Sequence, residues 1–128
     1  MLDHIGLAVS DFERAKSFFS QALAPLAITL LMEVTAEQTG RDSHAGFGAD
    51  RKPFFWIGDG KKPSAGVHVA FLAKSRSDVD AFYQAALAAG GRDNGPPGPR
   101  PHYHPNYYGA FVLDADGNNI EAVCHKPE

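Results

Sequence analysis

The sequence predicts an α+β fold: two tandem βαβββ modules forming a curved, half-barrel mixed sheet with the helices on its outer face. Three observations carry this reading. Segments that alternate bulky and small residues recur along the chain. The first strand of each half is followed by a segment of helical spacing. The second half also repeats the first at a fixed offset of 64, which sets His4 on His68, Phe18 on Phe82, Phe19 on Tyr83, Ala22 on Ala86, Leu23 on Leu87 and Ala24 on Ala88. The same offset sets Phe47 on Phe111 and Asp50 on Asp114. The modules span residues 1–60 and 66–125. Neither is large enough to be stable alone, so residues 1–128 read as a single domain.

Each element follows from its pattern. Ile5, Leu7 and Val9 alternate with His4, Gly6 and Ala8, the period of a half-buried strand. Ser10 or Asp11 caps a helix whose apolar stripe is Phe12, Ala15, Phe18, Phe19, Ala22 and Leu23, and Pro25 ends it. Residues 28–34 read as a strand containing Glu33, residues 35–43 as a polar loop, and residues 45–57 as a hairpin turning at 50–53. Residues 59–66 are rich in Gly, Pro and Lys and read as a linker, with Lys61 and Lys62 solvated.

The second half restarts the pattern. Val67, Val69 and Phe71 alternate with His68 and Ala70. Ser75 or Ser77 caps a second helix, with Val79, Phe82, Tyr83, Ala86 and Leu87 on its buried stripe and Gly90-Gly91 at its end. Residues 95–105 carry five of the nine prolines, which predicts an irregular excursion and not a central strand. A hairpin over 107–123 closes the module, with Gly117 in its turn.

Composition bounds the function. The chain has 128 residues, 44% hydrophobic and 21% charged, which fits a globular domain. A net charge of −3 offers no general field for nucleic acid or an anionic membrane, so neither is expected as a partner. The apolar runs are too short for a membrane span, and Asp3 and His4 stand where the basic start of a signal peptide would be. With one cysteine, Cys124, no internal disulfide forms, and a reduced, cytoplasmic setting is expected. Cys124 alternates away from Glu121 and reads as packed and inert.

Glu121 stands among Ile120, Ala122 and Val123 in the last strand. A carboxylate there costs several kcal/mol unless it is paired, protonated or metal-bound. The small residues Gly6, Ala8 and Ala70 leave a hollow on the face that carries His4 and His68. The two histidines and Glu121 are expected to line it as a two-His-one-carboxylate site for a divalent metal: Fe, Zn, Ni, Mn or Co. Pairing of Glu121 with Arg100 or a lysine is the alternative. The segment RPHYHPNYY (100–108) reads either as a surface or interface loop or as a lid. As a lid, His102 or His104 would act as acid-base and Tyr108 would orient a substrate oxygen. Trp56, Phe55, Tyr103, Tyr107 and Arg100 are candidate substrate contacts.

The segments DHIGLAVSD, GVHVAF and YYGAFVLDADGNNIEAV resemble the vicinal oxygen chelate superfamily of glyoxalase, bleomycin-resistance and extradiol dioxygenase proteins. The resemblance implies metal ligands from the first, fifth and eighth strands, here His4, His68 and Glu121. Many members add a ligand from the fourth strand, and the segment Phe54-Phe55-Trp56-Ile57 offers none. Phe111 stands where an extradiol enzyme would carry a tyrosine. The implied function is a metal-dependent enzyme acting on a small substrate that chelates through vicinal oxygens, by lyase, isomerase or dioxygenase chemistry. The alternative is a metal-free protein that sequesters an antibiotic-like compound. Exposed sheet edges predict a homodimer, and the resemblance allows His4 of one chain to join His68 and Glu121 of the other.

Overall fold

The alternation of the first strand is realised as burial. In the computed structural model, which describes residues 1–127, Leu7 and Val9 are buried while Gly6 is exposed. Strand β1 (Ile5–Ala8) leads into helix α1 (Phe12–Leu23), β2 (Thr29–Val34), a single helical turn α2 (Ala36–Thr39), β3 (His44–Ala49) and β4 (Lys52–Gly58). The second module repeats the plan with β5 (His68–Leu72), α3 (Arg76–Ala88), β6 (Arg92–Pro99), β7 (Tyr108–Leu113) and β8 (Asn119–Cys124). The two expected βαβββ modules are therefore present.

Local chemistry starts and stops the helices. Asp11 caps α1, its carboxylate accepting from Arg14 N at 3.1 Å. Ser75 caps α3, its hydroxyl accepting from Asp78 N at 3.1 Å. The polar loop expected over 35–43 contains α2, because Thr35 and Gln38 form a reciprocal capping box.

Each module closes its own four-stranded sheet, in the orders β1-β4-β3-β2 and β5-β8-β7-β6. No ladder joins the two among the described residues, so the half-barrel is built from two sheets and not one continuous one. The outer strand β1 or β5 runs parallel to β4 or β8, and the other neighbours are antiparallel. The proline-rich stretch departs from the expected excursion in part. Residues 92–99 form β6, but at the sheet edge and with two breaks in register. An edge strand tolerates Pro96, Pro97 and Pro99 because half of its backbone groups need no ladder partner.

One core lies between the sheets and the two helices. Phe19 meets Phe55 edge-on at 4.9 Å between ring centroids, and Phe55 meets Phe71 of the second module at 5.2 Å. All three rings are buried. Aromatic pairs at these distances add roughly 0.5–1.5 kcal/mol each beyond the area they bury. The core is thus continuous across the duplication.

The repeat slips by one residue in the closing hairpins. Gly6 pairs with Trp56, whereas its repeat equivalent Ala70 pairs with Glu121. Likewise Gly46 pairs with Trp56 and Phe111 with Glu121. Trp56 therefore occupies in the first module the station that Glu121 occupies in the second. Phe47, buried opposite Phe55, is the counterpart of Val112 and not of Phe111.

Candidate functional site

Strand β8 places Glu121 on the face of the second sheet turned away from the helices. Its cross-strand neighbours are Ala70 on β5 and Phe111 on β7. The side chain is fully buried. His68 enters from the start of β5, and its Nε2 lies 2.7 Å from Glu121 Oε1. The imidazole is 52% exposed, so the pair is open to solvent on the histidine side only. The other carboxylate oxygen, Oε2, accepts the phenol proton of Tyr107.

Glycine makes the tyrosine contact possible. A Cβ on Gly109 would come within 3.1 Å of both Glu121 Oε2 and Tyr107 Cε1. The absent side chain lets the Tyr107 ring fold back over the strand. Tyr103 stacks edge-on against Tyr107 at 5.1 Å, and His125 does so at 5.3 Å. Burial first, and then the hydrogen bond to Glu121, push the Tyr107 phenol well above its ordinary pKa. The burial cost of Glu121 is therefore offset on both oxygens, by an imidazole and by a phenol.

The alternative, pairing of Glu121 with Arg100 or a lysine, is not what compensates it. The Arg100 guanidinium donates to the carbonyls of Pro96 at 2.7 Å and Gly98 at 2.9 Å. It also covers the Phe111 ring at 5.5 Å. Its role is to hold the proline-rich turn in shape.

The partner of His4 within one chain is Asp3 and not the His68–Glu121 pair. His4 is exposed on β1's approach, where its Nδ1 meets Asp3 at 2.7 Å. The His4 imidazole, and then the Lys52 ammonium at 3.0 Å, hold the Asp3 carboxyl below its usual pKa. Among the described residues, no group of three His, Cys, Asp or Glu side chains is arranged to hold a metal ion. Within one chain, His4 and Ala70, the cross-strand neighbour of Glu121, line a common cavity. Each module closes a separate sheet, and no ladder joins β1 to β5 among the described residues.

The remaining candidates divide. His102, Tyr103 and His104 lie on an exposed turn beside Tyr107, with the rings of His102 and Tyr103 at 4.2 Å. His104 meets His125 at 5.3 Å. These residues form a rim next to the Glu121 site. Tyr108, expected to orient a substrate oxygen, is placed elsewhere. Strand alternation turns it to the helix side, where its hydroxyl donates to Asp80 at 2.7 Å and Arg76 covers its ring. Phe55 is likewise in the core beneath the helices and not on the hollow face. Trp56 does reach the hollow face, over Gly46. Glu33 pairs with Lys16 at 2.8 Å.

Sequence reasoning placed Tyr107 as a wall and missed it as the partner of Glu121. The signal was present. Tyr107, Gly109, Phe111 share a period of two, and Phe111 lies opposite Glu121.

Comparison with known proteins agrees with this fold. The sequence profile of the glyoxalase/bleomycin resistance protein/dioxygenase superfamily matches residues 1–122. A glyoxalase/bleomycin resistance protein from Albidiferax ferrireducens is 26% identical, covers 99% of each chain and superposes with a TM-score of 0.76. A glyoxalase I mutant from Zea mays is 22% identical with a TM-score of 0.73; the match covers 95% of this chain but 46% of the maize one. A fosfomycin resistance protein from Listeria monocytogenes is 16% identical with a TM-score of 0.68, over 98% of this chain and 92% of that one. Among curated proteins none matches. Its paired modules and its match over nearly the whole length make this chain a member of the glyoxalase/bleomycin resistance protein/dioxygenase superfamily.

Proposed function

We propose that the protein is a metal-dependent enzyme acting on a small substrate with vicinal oxygens, and that His68 and Glu121 of one chain are joined by His4 of a second copy. The observation that carries this reading is the contact between His68 Nε2 and Glu121 Oε1 at 2.7 Å. Two donors bound side by side to one divalent ion, at bond lengths of about 2.1 Å, sit about 3 Å apart. An imidazole nitrogen and a carboxylate oxygen already converge to that separation on a buried floor, and the donor chemistry suits a divalent ion.

A bound divalent ion would supply Lewis-acid stabilisation to a substrate oxyanion or enolate. The chain's own residues supply the rest. The Tyr107 hydrogen bond engages Glu121 Oε2 and leaves Oε1 as the single donor atom turned to His68. The exposed edge of His68 marks the side from which substrate enters. The rim residues Tyr103, His102 and His104 border that entrance and are placed to exclude water or shuttle a proton. No carboxylate stands at the fourth-strand station, because Trp56 occupies it. A base drawn from that strand is therefore not part of this reading.

The test is metal analysis of tag-free protein. Stoichiometric metal that disappears in His68→Ala and in Glu121→Gln is the expected result. Protein that stays metal-free after incubation with each of Fe, Zn, Ni, Mn and Co would replace this reading with the sequestering one.

A further inference from the structure

A cation stands on the same floor as the His68–Glu121 pair, and no acid neutralises it. Phe111 lies opposite Glu121 across the β7–β8 ladder, so its ring shares the face that carries the carboxylate. The His68 imidazole is 6.2 Å from that ring, and the Arg100 guanidinium is 5.5 Å from it. One ring thus neighbours both the histidine and the cation. The charge is felt at the site as well. Burial, and then the Glu121 hydrogen bond, raise the Tyr107 pKa, and the positive field of Arg100 works against them.

The guanidinium is fixed by backbone and not by a counter-ion. It donates to the carbonyls of Pro96 at 2.7 Å, Gly98 at 2.9 Å and Pro99 at 3.5 Å. These bonds occupy at most three of its five N–H donors. They leave the charge whole, since a carbonyl carries only a dipole. Gly95 makes the seat: a Cβ there would come within 2.9 Å of the Phe111 ring and 3.4 Å of Arg100 Nη2. Proline rings at 96, 97 and 99 stiffen the strand that presents the carbonyls. Holding the turn in shape therefore also holds the cation in place.

Among the described residues Arg100 has no carboxylate partner. Glu121 has both oxygens engaged. Asp93 of β6 accepts from the Tyr83 hydroxyl at 3.0 Å and from Gly95 N at 2.9 Å. A guanidinium ordered in advance loses little freedom when an anion arrives. Its planar fork matches a carboxylate, phosphonate or phosphate oxygen pair. Arg100 and Phe111 are both partly exposed, so the fork and the ring are open to a small molecule.

We infer that Arg100 is an anion-binding residue of the proposed active site, and that the substrate joins its vicinal oxygens to an oxyanion group through a short apolar spacer lying on Phe111. The vicinal oxygens rest on the metal reading, whereas the anion subsite has a readout of its own.

Wild-type protein stripped of metal by a chelator is titrated with benzoate and with uncharged benzamide, and the Arg100 Nε–H resonance is followed by NMR. Benzoate should shift that resonance saturably, with an affinity about tenfold above that of benzamide. For zinc-loaded protein the probe is 4-carboxybenzohydroxamate, which carries vicinal oxygens at one end and the anion at the other. It should bind about tenfold more tightly than benzohydroxamate. Arg100→Gln should erase that difference while the affinity for benzohydroxamate stays. Gly98→Ala, whose methyl would crowd Arg100 Nη1 at 3.2 Å, displaces the cation without removing it and should shrink the same difference. An Arg100 resonance unmoved by benzoate, equal affinity for benzoate and benzamide, equal affinity for the two hydroxamates in zinc-loaded protein, or a preference that survives Arg100→Gln would each overturn the inference. Protein that takes up no metal but still selects benzoate through Arg100 would overturn the metal reading and leave the anion site standing.

Discussion

A fully buried glutamate with both oxygens engaged is a tuned group, and its neighbours are the place to perturb it. Tyr107→Phe removes the donor to Glu121 Oε2 while keeping the ring between Tyr103 and His125. The carboxylate is then freer to rotate or to bind through both oxygens. Divalent-metal affinity, measured by competition with a chelator, should fall about tenfold, with the far-ultraviolet dichroism unchanged. Gly109→Ala should have the same consequence by another route, since its methyl would push against Oε2 and the Tyr107 ring together. Glu121 was legible from sequence because an acid in an apolar strand demands an explanation. Tyr107 was not, because fourteen residues of separation conceal a contact that only strand pairing reveals. Tyr108 shows the complementary failure. It is as polar and as near in sequence, but alternation turns it to Asp80.

At the scale of elements, helices and strands were readable from period, and their edges from capping chemistry. What escaped was register. A one-residue slip in the closing hairpins leaves the helical repeat in phase but moves Trp56 onto the station of Glu121. No count of identities along the chain shows such a slip, because it is a property of pairing. The proline-rich β6 escaped for a related reason, since propensity rules describe interior strands and this one lies at an edge. One cross-element contact yields a pH prediction. Lys16 of α1 reaches Glu33 of β2 at 2.8 Å and Glu13 at 3.1 Å. The Glu33 hydrogen bond, and then that of Glu13, raise the lysine pKa above 10.5. A raised basic group stabilises the fold fully below its unfolded pKa, and that stability is lost as pH rises through the folded one. Lys16→Met should therefore lower stability at neutral pH by no more than about 1 kcal/mol, given the exposure of the acids. Denaturant titrations of the two proteins should converge at strongly alkaline pH.

For the whole molecule, the decisive matter is how many chains complete one site. Strand β2 lies at a sheet edge with Leu30, Leu31 and Met32 exposed, a surface that invites pairing with a second copy. If His4 is supplied by that copy, His4→Ala and Glu121→Gln should each bind little metal alone. Unfolded together in equal amounts and refolded, they should regain roughly a quarter of the wild-type stoichiometry, one intact site in each mixed dimer. No recovery, with dimers confirmed by sedimentation, would place His4 outside the site.

The turn before β8 acts on the whole molecule too. Asn118 is fully buried. Its amide donates to Ser64 O at 3.0 Å and to Asp114 Oδ2 at 3.1 Å, and its carbonyl accepts from Val67 N at 3.0 Å. Ser64 in turn exchanges two hydrogen bonds with Ala8, at 2.8 and 3.0 Å. Asn118→Ala leaves several buried groups unpaired and should cost about 3 kcal/mol in chemical denaturation. The connecting segment is therefore no slack tether: the Asn118 amide fastens it to the second half of the duplication and Ser64 fastens it to the first. Nicking the chain there should yield two fragments that stay together and melt in one step, because the ancestral halves have given up independence for a shared fastening.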